Sequence, residues 1–134
     1  MTEAALLHDI GIKLCDAPEI YCTGSEPYIR HGILGKQLLE AEGLPRHGLV
    51  CVRHTGSGIS RADVREQALP LPEDDYLPAS VEEKIICIAD KFYSKKPKRL
   101  WKEAKRKSIL KSIRKYGPAS LTRWEALLEE FLGD

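Results

Sequence analysis

The sequence has no run approaching the ~20 consecutive apolar residues of a membrane-spanning helix, and its N-terminus has neither a basic flank nor a signal-type apolar stretch. A membrane role is not expected, and the cytoplasm is the expected compartment. Thiol motifs are missing too. The four cysteines, Cys15, Cys22, Cys51 and Cys87, form no C-x-x-C pair, which removes a zinc knuckle and a redox dithiol and leaves buried free thiols as the better reading. No alternating run of β-branched residues marks a strand, and there are neither repeats nor low-complexity tracts. Excess charge of one sign is also absent. Twenty-one Lys and Arg against twenty Asp and Glu leave +1 with His neutral, and 43% of residues are apolar. Neither disorder nor a uniformly basic nucleic-acid binder fits that composition.

What is there fits a single all-α domain, since 134 residues can bury one core but not two. The neutral sum conceals a division. Residues 91–116 hold twelve Lys or Arg and one acid, residues 1–90 hold eight basic and fifteen acidic residues, and 117–134 hold one and four. The expected division is a core of residues 1–95 followed by C-terminal helices over 96–134, the first of them basic.

Helical periods can be followed along the chain. A short first helix around Ala4–Leu7 is expected to stop at Gly11, and a Pro- and Gly-bearing loop follows over 13–27. Residues 28–42 carry Ile33, Leu34, Leu38 and Ala41 on one stripe, with Gly43 placed to end the helix. Gly32 and Gly35 lie inside it; each costs up to ~1 kcal/mol in a helix, so something should approach that face closely. Pro45 can open a third helix running to His54, and a short piece follows over 62–67. Ser80 and Glu83 have the form of a capping box before Ile85, Ile86, Ile88, Ala89 and Phe92, with Asp90 lying among the apolar residues. A basic helix over 98–116, with Trp101, Ala104, Ile109 and Ile113 on its drier face, and a last amphipathic helix after Gly117 complete the chain.

All four histidines fall within the first 54 residues. His8 and Asp9 offer an imidazole and a carboxylate to one centre, and His31, His54 and Asp90 come from three other predicted helices. Imidazole mixed with carboxylate suits a catalytic divalent transition metal. Asp90 carries the most weight, because a carboxylate among Ile86, Ile88 and Ala89 must be paired, coordinated or turned outward.

The segments Ala4-Ala5-Leu6-Leu7-His8-Asp9-Ile10-Gly11, Tyr28-Ile29-Arg30-His31-Gly32, Arg53-His54-Thr55-Gly56 and Glu83 to Lys91 together resemble the HD superfamily of metal-dependent phosphohydrolases, closest to its small HDIG type. The resemblance covers about residues 4–95 and implies an HD-domain helical bundle. It implies a hydrolase of a phosphomonoester or nucleotide that uses metal-activated water, with Asp9 and Asp90 as catalytic carboxylates. His8, Asp9, His31, His54 and Asp90 would be the ligands of one or two divalent ions, with Mn, Fe, Ni, Co, Zn and Mg all suited. Arg30, Arg53 and Lys13 are the candidates for substrate phosphate. Two departures stand out. The family pattern begins with a further histidine upstream of the His-Asp pair, and only seven residues precede His8, so the resemblance implies a missing first helix and self-association over Leu6 and Leu7. Ile12 also stands where the pattern has lysine, with Lys13 one place late. His47, seven residues before His54, is left outside the site.

The basic segment is read as a solvated face whose lysines steer a small phosphorylated substrate, and nucleic acid is not expected as a partner, because Tyr93, Trp101 and Tyr116 look helix-phased. The alternative reading is a catalytically silent HD-fold module that binds a nucleotide or nucleic acid.

Overall fold

A computed structural model describes residues 1–133 and is all-α in class; Asp134, the last residue of the expected domain, lies outside the described residues. Seven α-helices follow in chain order: α1 (Thr2–Leu7), α2 (His31–Ala41), α3 (Pro45–Arg53), α4 (Arg61–Glu66), α5 (Val81–Lys91), α6 (Arg106–Arg114) and α7 (Pro118–Leu132). None of the described helices is long and apolar enough to cross a membrane. The four cysteines are free, and three of them are buried.

The first helix is shorter than its composition suggests. It ends at Leu7, and a 3-10 turn over Ile10–Leu14 runs straight through Gly11. Gly11 is needed for a close approach rather than for a stop, since a Cβ there would lie 2.0 Å from the His31 carbonyl oxygen and 2.6 Å from the Gly35 nitrogen. The glycines of α2 answer the same demand from the other side. A Cβ on Gly32 would meet the Cys51 carbonyl oxygen at 2.8 Å, and one on Gly35 the Cys51 side chain at 3.1 Å. The 3-10 turn, α2 and α3 are therefore packed backbone to backbone, and the histidines they carry are drawn together.

Other elements depart from the sequence reading. The loop over 13–27 contains a two-stranded antiparallel ribbon, β1 (Asp16–Ala17) and β2 (Cys22–Thr23), too short to show an alternating pattern. Half of the expected capping box at α5 forms: Ser80 Oγ accepts from the Glu83 amide at 3.2 Å, while the Glu83 carboxylate accepts from the Ala79 amide at 2.9 Å and faces Arg53. The complete reciprocal box is at α4, between Ser60 and Asp63. Ala89 faces solvent instead of the core.

The largest difference concerns the basic helix. Only Arg106–Arg114 is helical; before it come a 3-10 turn, Pro97–Arg99, and an irregular stretch. Like charges at helical spacing repel, and Lys98, Arg99, Lys102 and Lys105 would stack such repulsions with little apolar surface to offset them. Ala104 is instead held by its amide, which donates to the Phe92 carbonyl at 2.6 Å. Ile109 and Ile113 of α6 then pack with Cys87, Ile88, Trp124 and Leu127, joining α5, α6 and α7. A smaller cluster of Ala4, Val50 and Ile86 joins α1, α3 and α5. Leu6 lies outside both and is 80% exposed.

Candidate functional site

Four chain segments deliver one polar centre. His8 and Asp9 follow α1, His31 opens α2, His54 caps the end of α3, and Asp90 lies in the last turn of α5. His31 and His54 are buried, while His8, Asp9 and Asp90 are half-buried.

The three imidazoles are oriented by one local device. Each Nδ1 lies against the carbonyl three residues back: His8 on Ala5 at 2.6 Å, His31 on Tyr28 at 2.6 Å and His54 on Cys51 at 2.7 Å. A carbonyl only accepts, so Nδ1 carries a proton in each ring and Nε2 is turned to the centre. There, His8 Nε2 lies 3.1 Å from both Asp9 Oδ2 and Asp90 Oδ1, and His54 Nε2 lies 3.1 Å from Asp9 Oδ1. His31 Nε2 is 3.6 Å from Asp9 Oδ1 and 3.1 Å from His54 Nε2. Two nitrogen lone pairs repel at that distance, so the pair needs a proton or another cation beside it.

The carboxylates also meet two lysines. Lys95 Nζ lies 3.0 Å from Asp9 Oδ2 and 2.9 Å from Asp90 Oδ1. Lys91 Nζ is 3.0 Å from Asp90 Oδ2 and also donates to the carbonyls of His54, at 2.7 Å, and Cys87, at 3.1 Å. Burial disfavours charge on His8, Asp90 and Lys95, but the attraction of their partners outweighs it. Burial opposes the imidazolium of His8, yet Asp9 and Asp90 raise its pKa to about 10. Burial likewise opposes the Asp90 carboxylate, which Lys91 and His8 nonetheless hold well below the usual carboxylate range. His31 behaves oppositely: burial and then the neighbouring His54 bring it down to about 4, so it stays neutral near pH 7.

Donor atoms of His8, Asp9, His54 and Asp90 all lie within 4.8 Å of one another, and Asp9 Oδ1 is buried with no hydrogen bond among the described residues. That donor set could hold a cation, with His31 beside it. The positive charges between the two carboxylates are the Lys95 ammonium and the His8 imidazolium. A cavity of about 290 Å³, lined by Ala5, Ile86, Tyr93 and Ser94, reaches His8, Asp9, Asp90 and Lys95 of the centre.

The remaining candidates are engaged elsewhere. Arg30 donates to the Pro70 carbonyl at 2.9 Å and pairs with Glu26 at 3.2 Å. Arg53 pairs with the buried Glu83 at 2.9 Å. Lys13 is exposed in the 3-10 turn, and His47 sits 3.2 Å from Glu3. Sequence reasoning missed Lys91 and Lys95 as members of the centre. A signal existed, since both follow Asp90 within five residues, but it was absorbed into the general basicity of the segment.

No family model and no solved structure matches the chain. Several curated proteins are similar to it, three of them as follows. An uncharacterized protein of Methanocaldococcus jannaschii is 37% identical over 86 residues, which is 63% of this chain and 43% of that protein. A tRNA (cytidine(56)-2'-O)-methyltransferase of Thermoplasma volcanium is 29% identical over 133 residues, 98% of this chain and 34% of the enzyme. An enzyme of the same name from Picrophilus torridus is 36% identical over 91 residues, 67% of this chain and 23% of the enzyme. The chain thus spans less than half the length of each of these relatives.

These likenesses correct the expectations drawn from the HD resemblance. Two of these three relatives are named as enzymes that transfer a methyl group to tRNA, not as hydrolases. The HD-type phosphohydrolase assignment is overturned accordingly. Hydrolysis of a phosphomonoester or nucleotide by metal-activated water falls with it, as does the divalent ion as cofactor of that reaction. The exclusion of nucleic acid is corrected in turn, because both names specify tRNA. Physically, a His and Asp donor set fixes a geometry but not a reaction, and the same constellation can serve unrelated chemistries.

Proposed function

We propose that this chain is a helical RNA-contacting module acting in tRNA modification, whose basic segment over 91–115 grips the phosphate backbone of tRNA. The observation that carries this reading is the disposition of charge. Lys98, Arg99, Lys102, Lys105 and Lys107 are exposed, and none has an ion pair among the described residues, whereas nine of the fifteen acidic residues in 1–90 are ion-paired. A field of unneutralised cations on a protein of near-zero net charge attracts a polyanion, and counterion release makes such binding favourable. The names of two relatives support tRNA as the polyanion.

In this reading residues 1–95 and 96–134 form one domain, and His8, Asp9, His31, His54 and Asp90 are its functional centre. Asp9 and Asp90 anchor Lys95, and Asp90 anchors Lys91, so the centre fixes where the basic segment leaves α5. These carboxylates are positioning residues for RNA binding rather than contacts to it.

Titration of the purified chain with tRNA across a salt series tests the proposal. Engagement of about four phosphates gives a slope of log K against log salt of about −3 to −4. Replacing Lys98, Arg99, Lys102 and Lys105 together with glutamate is expected to abolish binding; unchanged affinity would overturn the reading. A second measurement separates positioning from plain electrostatics. Asp90→Asn removes a negative charge, so electrostatics alone would tighten binding to a polyanion. Positioning predicts weaker binding instead, on the order of tenfold, the scale of one lost charge-assisted contact.

A further inference from the structure

The segment joining α5 to α6 presents an aromatic ring in an unusual setting. Trp101 is 94% exposed, although a tryptophan ordinarily buries most of its ring. Its neighbours are Lys98, Arg99, Leu100 and Lys102, and Leu100 is itself 47% exposed. The sequence pattern places this residue on the dry face of a helix; the structure places it on a loop. That loop is held at both ends. Lys95 ties its start to Asp9 and Asp90, and the Ala104 amide donates to the Phe92 carbonyl at 2.6 Å where the loop returns. Between these points the backbone is braced by amides of Arg99 and Lys102 donating to the carbonyls of Lys96, at 2.8 Å, and Arg99, at 3.1 Å. Beside the loop runs an apolar groove of about 600 Å³ lined by Ile88, Phe92, Tyr93, Ala104 and Phe131, with Tyr93 53% exposed.

We infer that this loop is a base-stacking site for RNA: the Trp101 indole stacks on an unpaired base of a single-stranded loop or end, while Lys98, Arg99, Lys102 and Lys105 hold the flanking phosphates. The inference rests on the RNA-contacting reading above and goes beyond it by naming the structural class of RNA and the residue that selects it. Charge identifies the partner as a polyanion. The exposed ring then selects among polyanions, because bases inside a duplex are stacked on one another and offer no free face, whereas unpaired bases do. An anionic membrane would also attract cations and a tryptophan. Membrane-surface segments, however, usually commit the whole apolar face of an amphipathic helix, and here Ile109 and Ile113 of α6 are buried in the core. What remains outside is a ring of the size of a base and its flanking charges.

Fluorescence provides the test, because the chain's other tryptophan, Trp124, is 2% exposed and Trp101 dominates any quenching by an external ligand. The intact chain is titrated with a short unstructured RNA, with the same sequence in duplex form, and with phosphatidylglycerol vesicles. The single strand is expected to quench the emission and the duplex to leave it largely unchanged. Trp101→Ala should weaken single-strand binding by roughly five- to a hundredfold, and Trp101→Phe should restore most of it. The salt slope of Trp101→Ala should match that of the unaltered chain, since the phosphate contacts remain.

Equal quenching by strand and duplex, or unaltered affinity in Trp101→Ala, would overturn the stacking site. If tRNA binding still depended on the four cations, the RNA reading would survive that failure. Quenching by vesicles alone, with no RNA bound, would remove both. The ring's exposure means that its removal leaves the fold intact, which circular dichroism checks.

Discussion

The polar centre and the basic segment handle charge in opposite ways, although Lys91 and Lys95 belong to both. In the centre, two carboxylates are faced by two lysines and the His8 imidazole, all at about 3 Å, and the groups are taken partly out of water. In the segment, exposed cations stand next to one another with almost no acid among them. The first arrangement is complete within the chain, so it contributes to holding the chain's shape. The second gains nothing from its own fold, and in the proposed function its missing negative charge comes from a partner. Substitutions should therefore dissociate: those in the centre act first on stability, and those in the segment act on RNA binding with little effect on stability.

The strongest break in that comparison is Asp90→Ala. Removing one partner from a buried ion pair leaves the others uncompensated, which typically costs about 3–5 kcal/mol. Here Lys91, Lys95 and His8 would all lose a counter-charge. Urea unfolding should show a midpoint shift of that size. A change below about 1 kcal/mol would mean that the centre is solvated and loosely held, and that the contrast with the segment is false.

Gly11→Ala attacks the same centre through the backbone. Its Cβ would sit 2.0 Å from the His31 carbonyl oxygen, which only a shift of the 3-10 turn away from α2 can relieve. A loss of about 1–3 kcal/mol is expected, as for overpacking elsewhere. The shift would also uncover His31, whose burial is the largest cause of its lowered pKa, so the His31 ring resonance should titrate closer to its ordinary value of 6.5 even as the raising influence of Asp9 recedes. An unmoved His31 titration would show that the close approach does not set the centre's geometry.

This substitution also bears on what the sequence made legible. Gly32 and Gly35 signalled a close approach because glycine inside a helical period is locally unfavourable, and the structure supplies the approaching backbone from α3 and the 3-10 turn. His8, Asp9, His31, His54 and Asp90 are grouped through the HD resemblance, whose segments carry them in order, since spacing alone does not show that residues of separate helices converge. The nearness of Lys95 to Asp90 in the chain was a signal, but its return onto both carboxylates was not legible, since that depends on a loop closed by a hydrogen bond between residues twelve apart, Phe92 and Ala104. Trp101 failed for the same reason. Its spacing to Ala104 fits a helix, but charge repulsion along the segment outweighs that periodicity. The chemistry of the centre was the least legible, because imidazoles and carboxylates at fixed spacing are shared by proteins with different reactions.

A smaller effect is expected at the edge of the centre. Arg53 pairs with Glu83, whose carboxyl is lowered against the penalty of its burial by the Ala79 amide and by Arg53. A depressed carboxylate contributes stability above its ordinary value of 4.5, and the contribution is lost as pH falls through the folded value. Arg53→Met should therefore cost about 1–2 kcal/mol at pH 7, the scale of a charged hydrogen bond. The difference from the unaltered chain should shrink well below pH 4.5. A difference that persisted at pH 3 would assign the cost to lost packing of the Arg53 side chain instead.

The smallest effect is the most telling for the segment. Helix α6 opens on Arg106 and Lys107 with no acid in its first turn and no side-chain cap, so cations stand where the helix dipole disfavours them. Lys107 also lies one turn before Lys111, a like-charge pair. Lys107→Glu relieves both faults and should stabilise the chain by about 0.3–1 kcal/mol. The same substitution should weaken tRNA binding and flatten its salt dependence by about one unit of slope. Gain in one property with loss in the other is what charge retained for an external partner requires. Lys107→Glu that lowered stability, or left the salt slope unchanged, would return α6 to an ordinary solvated helix face.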